Sequence, residues 1–450
     1  MSIGDVSGEV TDLLQHLIRN ACVNDGTPES GHESRSADLL EHYLEGPGID
    51  IERYEPTPGR SSLVARIEGR NPDAPSLLLM GHTDVVPVNP AGWSREPFGG
   101  ELIDGEVWGR GAVDMLNLTS SMAVATKHLA QSGFRPEGTL IYLAVADEEA
   151  GGEHGAEWLL DHQRDVVGAD YLVTESGGIV TQTAKGPRVA VHVGEKGAEW
   201  LRLSVKGTPG HGSRPLRTDN ALVKAAEIVH RLAVFRPQTV ITDVWSAFVE
   251  GMSFPPELRS VLVDPERLWD FVQTTPRLQL ARHAHACTHT TFSPNVAHGG
   301  VKTNVIPDTV EIEVDIRTLP GQSEPEIRAL LHDILGELAD DVTIETIHRA
   351  DPSVSPMDTP LWDSLARVTR GLIPNAELIP GLIVGGTDAK FFREHGTISY
   401  GFGLFSPRLT SEAYASMFHG NDERVDVASL QLSSQLWDGL ARDLLTQPVA

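Results

Sequence analysis

Short apolar runs closed by turn residues recur through the first part of the chain. Ser76-Leu77-Leu78-Leu79-Met80 runs into His82 and Asp84, Leu140-Ile141-Tyr142-Leu143-Ala144-Val145 into Glu148 and Glu149, and Tyr171-Leu172-Val173 into Glu175. Each run predicts a buried strand of a mostly parallel sheet. Val10, Leu13, Leu14, Leu17 and Ile18 recur at helical spacing and predict a first helix. Further helices are expected over Ser36 to Leu44 and Leu118 to Gln131, with a strand from Ser62 to Ile67. Strand and helix alternate, which predicts α/β architecture. Ligands of open α/β sheets bind beyond the carboxyl ends of strands. Three strand ends therefore present imidazole and carboxylate groups along one edge.

Near residue 190 the period changes. Leu201, Leu203 and Val205 alternate with polar residues, as do Val310, Ile312, Val314 and Ile316 with Glu311, Glu313, Asp315 and Arg317. This is the pattern of antiparallel strands with one buried face. Ala221 to Leu232, and the set Ile327, Leu330, Leu331, Ile334, Leu335 and Leu338, predict two amphipathic helices, followed by a strand from Val342 to Ile347. Four strands and two helices imply a small two-layer α+β domain inserted into the larger one. About 50 residues between its first helix and Asn295 contain Pro237, Pro255, Pro256 and Pro265, and read as an irregular elaboration around a substrate site. Beyond residue 352 the first pattern returns, with a helix over Asp363 to Leu372, a strand over Ile398 to Gly401 and a closing helix from Val427 to Leu445. The expected organisation is a large domain in two parts, 1–189 and 351–450, around an insert at 190–350.

The chain has 450 residues, of which 40% are apolar and 22% charged, as in a soluble globular protein of more than one domain. Its formal net charge of −27 argues against a nucleic-acid or anionic-membrane partner. Two cysteines, Cys22 and Cys287, write no disulfide framework and fit a reducing compartment. Met1 to Asp5 lacks the basic and apolar regions of a signal peptide, and no run approaches the roughly 18 apolar residues of a membrane helix. The expectation is a cytoplasmic protein.

The candidate chemistry lies at the strand ends. His82 and Asp84 face the same way on an extended segment, so Asp84 either fixes the imidazole tautomer or binds metal itself. Of Glu148 and Glu149, beside Asp147, one can hold a cation while the other serves as a general base. Asp114 sits in Gly109-Arg110-Gly111-Ala112-Val113-Asp114-Met115, where it can cap a helix. His419 opens His419-Gly420-Asn421-Asp422-Glu423. Singly, each has an ordinary structural explanation. Arg282-His283-Ala284-His285-Ala286-Cys287-Thr288-His289 has the side chains of a soft-metal site, but its alternation fits one face of a strand and substrate contact or plain structure is preferred. No Gly-x-Gly-x-x-Gly follows an early strand, which excludes a dinucleotide enzyme.

Together, Gly81-His82-Thr83-Asp84, Gly109 to Met115, Asp147-Glu148-Glu149-Ala150-Gly151-Gly152, Glu175 and His419-Gly420 stand in an order that resembles the co-catalytic di-zinc metallopeptidases. That family holds aminoacylases, carboxypeptidases, acetylornithine deacetylase and succinyl-diaminopimelate desuccinylase. Gly207-Thr208-Pro209-Gly210-His211-Gly212-Ser213 and Thr303-Asn304-Val305-Ile306-Pro307 extend the resemblance into the insert. It implies a zinc-peptidase-like catalytic domain with an inserted lid that is also a dimerisation domain. It implies two Zn²⁺ per chain, replaceable by Co²⁺ or Mn²⁺, with Asp114 bridging, His82 and Glu175 completing one site and Glu149 and His419 the other. Glu148 becomes the general base, Asp84 the orienting group for His82, and Asp114–Met115 a cis peptide. By similarity His211 stabilises the oxyanion, often of a partner subunit, and Asn304, Arg317 and Gly386 contact the substrate. Leu116 departs from the Lys common in the family, and the segment from about 235 to 292 looks longer than in the compact desuccinylases. Both shift the expectation toward hydrolysis of N-acyl amino acids or short peptides with a free α-carboxylate. A dipeptidase or carboxypeptidase and a non-catalytic peptide-binding protein of the same fold are the alternatives.

Overall fold

A computed structural model describes residues 3–446, so Met1 and Ser2 of the N-terminal stretch lie outside the described residues. The three apolar runs form neighbouring strands, in the order Leu140–Val145, Leu77–His82, Tyr171–Thr174, and all three are parallel. Ile398–Gly401 continues the parallel set beside Tyr171–Thr174. The sheet has ten strands and is mixed. Arg60–Ile67 and Asp50–Thr57 extend one side antiparallel. Gly186–Glu195 on the other side pairs parallel with Glu377–Ile383 and antiparallel with Val180–Thr183 and Ser353–Val354.

Continuous apolar runs arise because both faces of the central strands are covered. Leu77 and Leu79 point into one core with Leu140 and Tyr142, while Leu78 and Met80 point into the other with Ile141 and Leu143. The first core holds the helices Ser7–Asn20, Leu116–Gln131 and Val427–Leu444, and the second holds Ala156–His162 and Ala389–Glu394. Leu116–Gln131 is buried on nearly every side. Its hydroxyls at Ser120, Ser121 and Thr126 are satisfied by carbonyls three or four residues back, which lets polar residues sit there without loss. Among the described residues no helix is long and apolar enough to cross a membrane. Cys22 and Cys287 are both free and buried.

A second, two-layer unit has the antiparallel order Thr291–Gly299, Thr309–Thr318, Gly197–Lys206, Val342–Ala350. Helices Ala221–Val234 and Glu324–Leu335 cover one face, and Leu201, Leu203, Ile312, Val314, Ile228 and Leu331 form its separate core. The strand Gly186–Glu195 of the large sheet runs through residues 189 and 190 and turns at Lys196 directly into this unit.

The segment expected to be irregular is instead helical, with helices at Asp243–Gly251, Pro256–Leu262, Pro265–Thr274 and Leu278–Thr288. The prolines that read as breakers start helices: Pro256 and Pro265 occupy the first turn, where no N–H is needed. Val244, Trp245, Val249, Leu262, Leu268, Ala284 and Cys287 join the core of the large domain, so the chain leaves the insert and returns to it. The 282–289 run is likewise helical through Thr288. Ala281, Ala284, Cys287 and Thr288 are its buried face, and His285 stacks on His289 at 4.8 Å, four residues on. The strand Asp50–Thr57 went unrecognised because it lies at the sheet edge and is half-exposed.

Leu79 is fully buried in the strand that ends at His82. Leu79→Ala should cost about 2–5 kcal/mol in denaturant unfolding; a loss below about 1 kcal/mol would mean that the sheet centre is loosely packed.

Candidate metal centre and substrate cleft

The three adjacent parallel strands end at one edge. His82 is the last residue of its strand, Glu175 follows the next, and Glu148 and Glu149 occupy the short helical turn after the third. Asp114 comes from the loop before the helix Leu116–Gln131, and His419 from the turn after Ser411–Met417. His82 Nε2 lies 3.3 Å from Asp114 Oδ1 and 4.0 Å from Glu175 Oε2. The other Asp114 oxygen lies 3.2 Å from His419 Nε2, which is 3.3 Å from Glu149 Oε2. Two three-residue groups capable of holding a cation, His82–Asp114–Glu175 and Asp114–Glu149–His419, thus share one aspartate. The Asp114–Met115 peptide is cis.

The electrostatics fit cations at both groups. Burial, reinforced by surrounding carboxylates, pushes Glu148 and Glu175 well above the usual carboxylate range. Burial also raises Glu149, whose Oε1 has no hydrogen-bond partner although it is buried. Asp114 stays low against its own burial because His419 and His82 face it, and His419 rises to about 10 through Asp114 and Glu149. The buried Asp114 and Glu175, the largely buried Glu148 and Glu149 and the buried His82 imidazole are packed mostly out of reach of water, with the more exposed His419 at the rim. That donor set suits divalent metal.

Of the groups behind the candidate ligands, Asp84 was expected as the orienting partner of His82, whereas Asn24, Glu33, Arg60 and Glu423 were not singled out by the sequence. The Asp84 main-chain oxygen lies 2.9 Å from His82 Nδ1, whereas its carboxylate is 3.7 Å away. The carboxylate instead accepts from Asn24 Nδ2 at 2.9 Å and the Glu149 main-chain N–H at 3.1 Å, tying the strand that ends at His82 to the turn that carries Glu149. Arg60 donates to Glu33 at 2.8 Å and to Asn24 at 3.1 Å, and stands 3.6 Å from Asp147. Glu423 clamps the bridging loop. It accepts from the main-chain N–H groups of Gly111, Val113 and Asp114 at 3.0, 2.6 and 2.9 Å and from Arg110 at 2.8 Å. Glu423 stands four residues after His419, and this proximity was the only signal the sequence carried.

A cleft of about 700 Å³ opens above these groups. It contains Asp114, Glu148, Glu149, Glu175 and His419, together with Arg317 and Gly386. Arg317 is held by Asp315 at 2.8 Å. His211 and Asn304 are neighbours, with Gly212 N–H donating to the Asn304 carbonyl, but both are exposed on the insert and do not line this cleft. The cleft also contains residues that sequence reasoning did not single out for a role, among them His192, Lys196, Tyr414 and the apolar Leu382, Ile383 and Val384.

Two carboxylate–imidazole groups on a shared aspartate, at the carboxyl edge of a mixed α/β sheet, define a metal-dependent hydrolase. The chain belongs to Peptidase family M20/M25/M40, which matches residues 78–443. It is 26% identical over 390 residues to an N-fatty-acyl-amino acid synthase/hydrolase of Xenopus tropicalis, covering 84% of this chain and 74% of that protein. It is 27% identical over 407 residues to human aminoacylase-1, covering 89% and 88%. The fold is similar to that of an M20 family metallo-carboxypeptidase from Sulfolobus solfataricus, with TM-score 0.71, 18% identity and coverage of 98% and 99%. The chain is accordingly a hydrolase of amide or peptide bonds.

Arg110→Met should destabilise the protein by about 3–5 kcal/mol, because it leaves Glu423 buried without its charged partner. Metal content by atomic absorption should fall with it; full occupancy and unchanged stability would show that the Glu423 clamp does not hold Asp114.

Proposed function

We propose that this chain is a di-zinc hydrolase that cuts the amide bond of N-acyl amino acids bearing a free α-carboxylate. The observation that carries the reading is the state of the cleft carboxylates. A dipeptide brings a free α-amino group, which needs an available carboxylate in a desolvated site. Among the described residues of the cleft, only Glu195 and Asp351 are carboxylates other than Glu148 and the two candidate ligand groups. Glu195 accepts from Thr387 N–H at 2.6 Å, Thr387 Oγ1 at 3.1 Å and Arg393 at 2.7 Å. Asp351 accepts from Arg349 at 2.8 Å. Leu382, Ile383, Val384, Ala198 and Ala350 offer an apolar wall instead, which suits an acyl group. The names of the aminoacylase and N-fatty-acyl-amino acid hydrolase relatives point the same way.

His82, Asp114 and Glu175 would hold one metal and Asp114, Glu149 and His419 the other, with Zn²⁺ suited to these ligands and Co²⁺ or Mn²⁺ as substitutes. Bound there, the cations supply Lewis acidity toward a carbonyl and lower the pKa of water. Glu148 receives the proton of the attacking water at its carboxylate and passes it to the leaving amine nitrogen. The backbone carbonyl of Asp84 holds His82 Nδ1, which presents Nε2 to the metal. Arg317 offers its guanidinium to the substrate carboxylate, and Gly386 contributes to the lining of the same cleft on the substrate side. His211 and Asn304 reach a site either when the inserted unit closes over its own cleft or when a second copy associates through that unit. His211 then stabilises the oxyanion, and Asn304 contacts the substrate.

The test is a panel of N-acetyl and long-acyl amino acids against free dipeptides, on zinc-loaded and chelated protein. Chelator-sensitive release from the acylated set is expected, and release from the free dipeptides alone would overturn the reading. Glu148→Gln should lower kcat by about 10²–10⁴-fold with metal content unchanged. Activity within about threefold of wild type would remove Glu148 as the base.

A further inference from the structure

We propose that His283 is a partition between the substrate cleft and an aromatic pocket behind it, and that it sets the length of the unbranched apolar chain the site accepts. The inference rests on the reading of the site as an N-acyl amino acid hydrolase. His283 stands on the helix Leu278–Thr288, in the segment that returns from the insert to the large core. Its ring lines the cleft on one side. On its other side lies a void of about 10 Å³, bounded by Val244, Trp245, Phe248 and Cys287. That is room for about one water molecule. Leu382 is the other side chain common to the two spaces, and the strand residue beside it is Gly381.

The imidazole is fixed in this position. Phe248 meets it edge-on at 5.2 Å, Trp245 lies 5.8 Å away, and Cys287 Sγ is 3.8 Å from Nδ1. Burial holds its pKa below the ordinary histidine value, so the ring is neutral. The neighbouring polar groups are already engaged. His192 is bonded to Ser176 at 2.7 Å, and burial lowers its pKa to about 4. Lys196 directs its ammonium to the main-chain carbonyls of Ala286 and His289, both at 2.8 Å. Arg393 is held by Glu195 at 2.7 Å. The charged groups at this end, Lys196 and the Glu195–Arg393 pair, are thus already bonded, and the uncharged rings and aliphatic side chains beside them suit an apolar chain. Such a chain stops at the ring of His283. Truncation of that ring joins the cleft, through the volume the imidazole vacates, to the void bordered by Val244, Trp245, Phe248 and Cys287.

The chain could be the acyl group or the side chain of the amino acid, and two substrate series separate these sources. One series lengthens the acyl group on leucine from acetyl through hexanoyl to decanoyl. The other keeps acetyl and lengthens the side chain from alanine through norleucine to α-aminooctanoic acid. kcat/KM is measured for zinc-loaded wild type, His283→Ala and the bulk-retaining His283→Phe. His283→Ala should raise the long-to-short ratio by at least about tenfold in one series, whereas His283→Phe should leave it near wild type. A ratio within about twofold of wild type in both series would overturn the partition, as would an equal gain in His283→Phe. Leu382→Ala replaces His283→Ala if the latter does not fold, with the same outcomes. Hydrolysis of the acetylated compounds by wild type tests the parent reading separately. If wild type cleaves no member of either series, acetylated or longer-acyl, that reading fails. Calorimetric binding of the same series then decides the partition: tighter binding of long chains by His283→Ala supports it, and unchanged binding overturns it.

Discussion

Asp114 is the point on which the site turns. One carboxylate stands buried between two imidazoles, at 3.3 Å from His82 and 3.2 Å from His419, and belongs to both candidate metal groups. A charged group in that position is expensive unless its surroundings are fixed. The loop that carries it is held by Glu423, which takes three main-chain N–H groups and the Arg110 guanidinium. Because Glu423 follows His419 by four residues, the same clamp registers the two loops against each other. The position of the carboxylate common to both candidate metal groups is thereby set by a residue four positions beyond His419.

The opposite side of the site is braced in the same way. Asn24, Glu33, Arg60 and Asp147 form a buried polar network behind the strand ends, and Asp84 links it to Glu149. Its members come from the loop between the first two helices (Asn24 and Glu33), the strand Arg60–Ile67 and the segments that follow two of the parallel strands (Asp84 and Asp147). The network converts the sheet edge, where strand ends are free to shift by fractions of an ångström, into a rigid set of donors. Catalytic geometry in this fold is therefore a property of the second layer of polar residues as much as of the ligands.

The helical segment over residues 243–288 changes the account of the substrate side. It packs on the large core and closes one end of the cleft with His283 and the aromatic rings behind it. Lys196, whose pKa burial lowers to about 7, fastens it to the junction between the two units by donating to carbonyls at the end of its last helix. The element that shapes the cleft is thus tied to the same turn at which the chain enters the inserted unit.

The apolar runs by themselves determined the three parallel strands, and with them the sites of His82, Glu148 and Glu175, because a strand covered on both faces has a local signature. The two-residue alternation of the insert was equally local, since one face of its sheet is exposed. The motif order carried Asp114, Glu149 and His419, which the folded chain brings together. The supporting residues had no such signature. Glu33 and Arg60, or Arg110 and Glu423, are single charges far apart in the chain, and each reads alone as a solvated side chain. The prolines at 256 and 265 resembled breaks until the structure placed them in first helical turns. The run from His283 to His289 resembled a strand until its packing showed a helix. His211 and Asn304 were singled out only through the family resemblance, and they stand outside the cleft of their own chain. Local periodicity records which face of an element is buried, but only packing across distant segments decides what that face is buried against and which charges meet there.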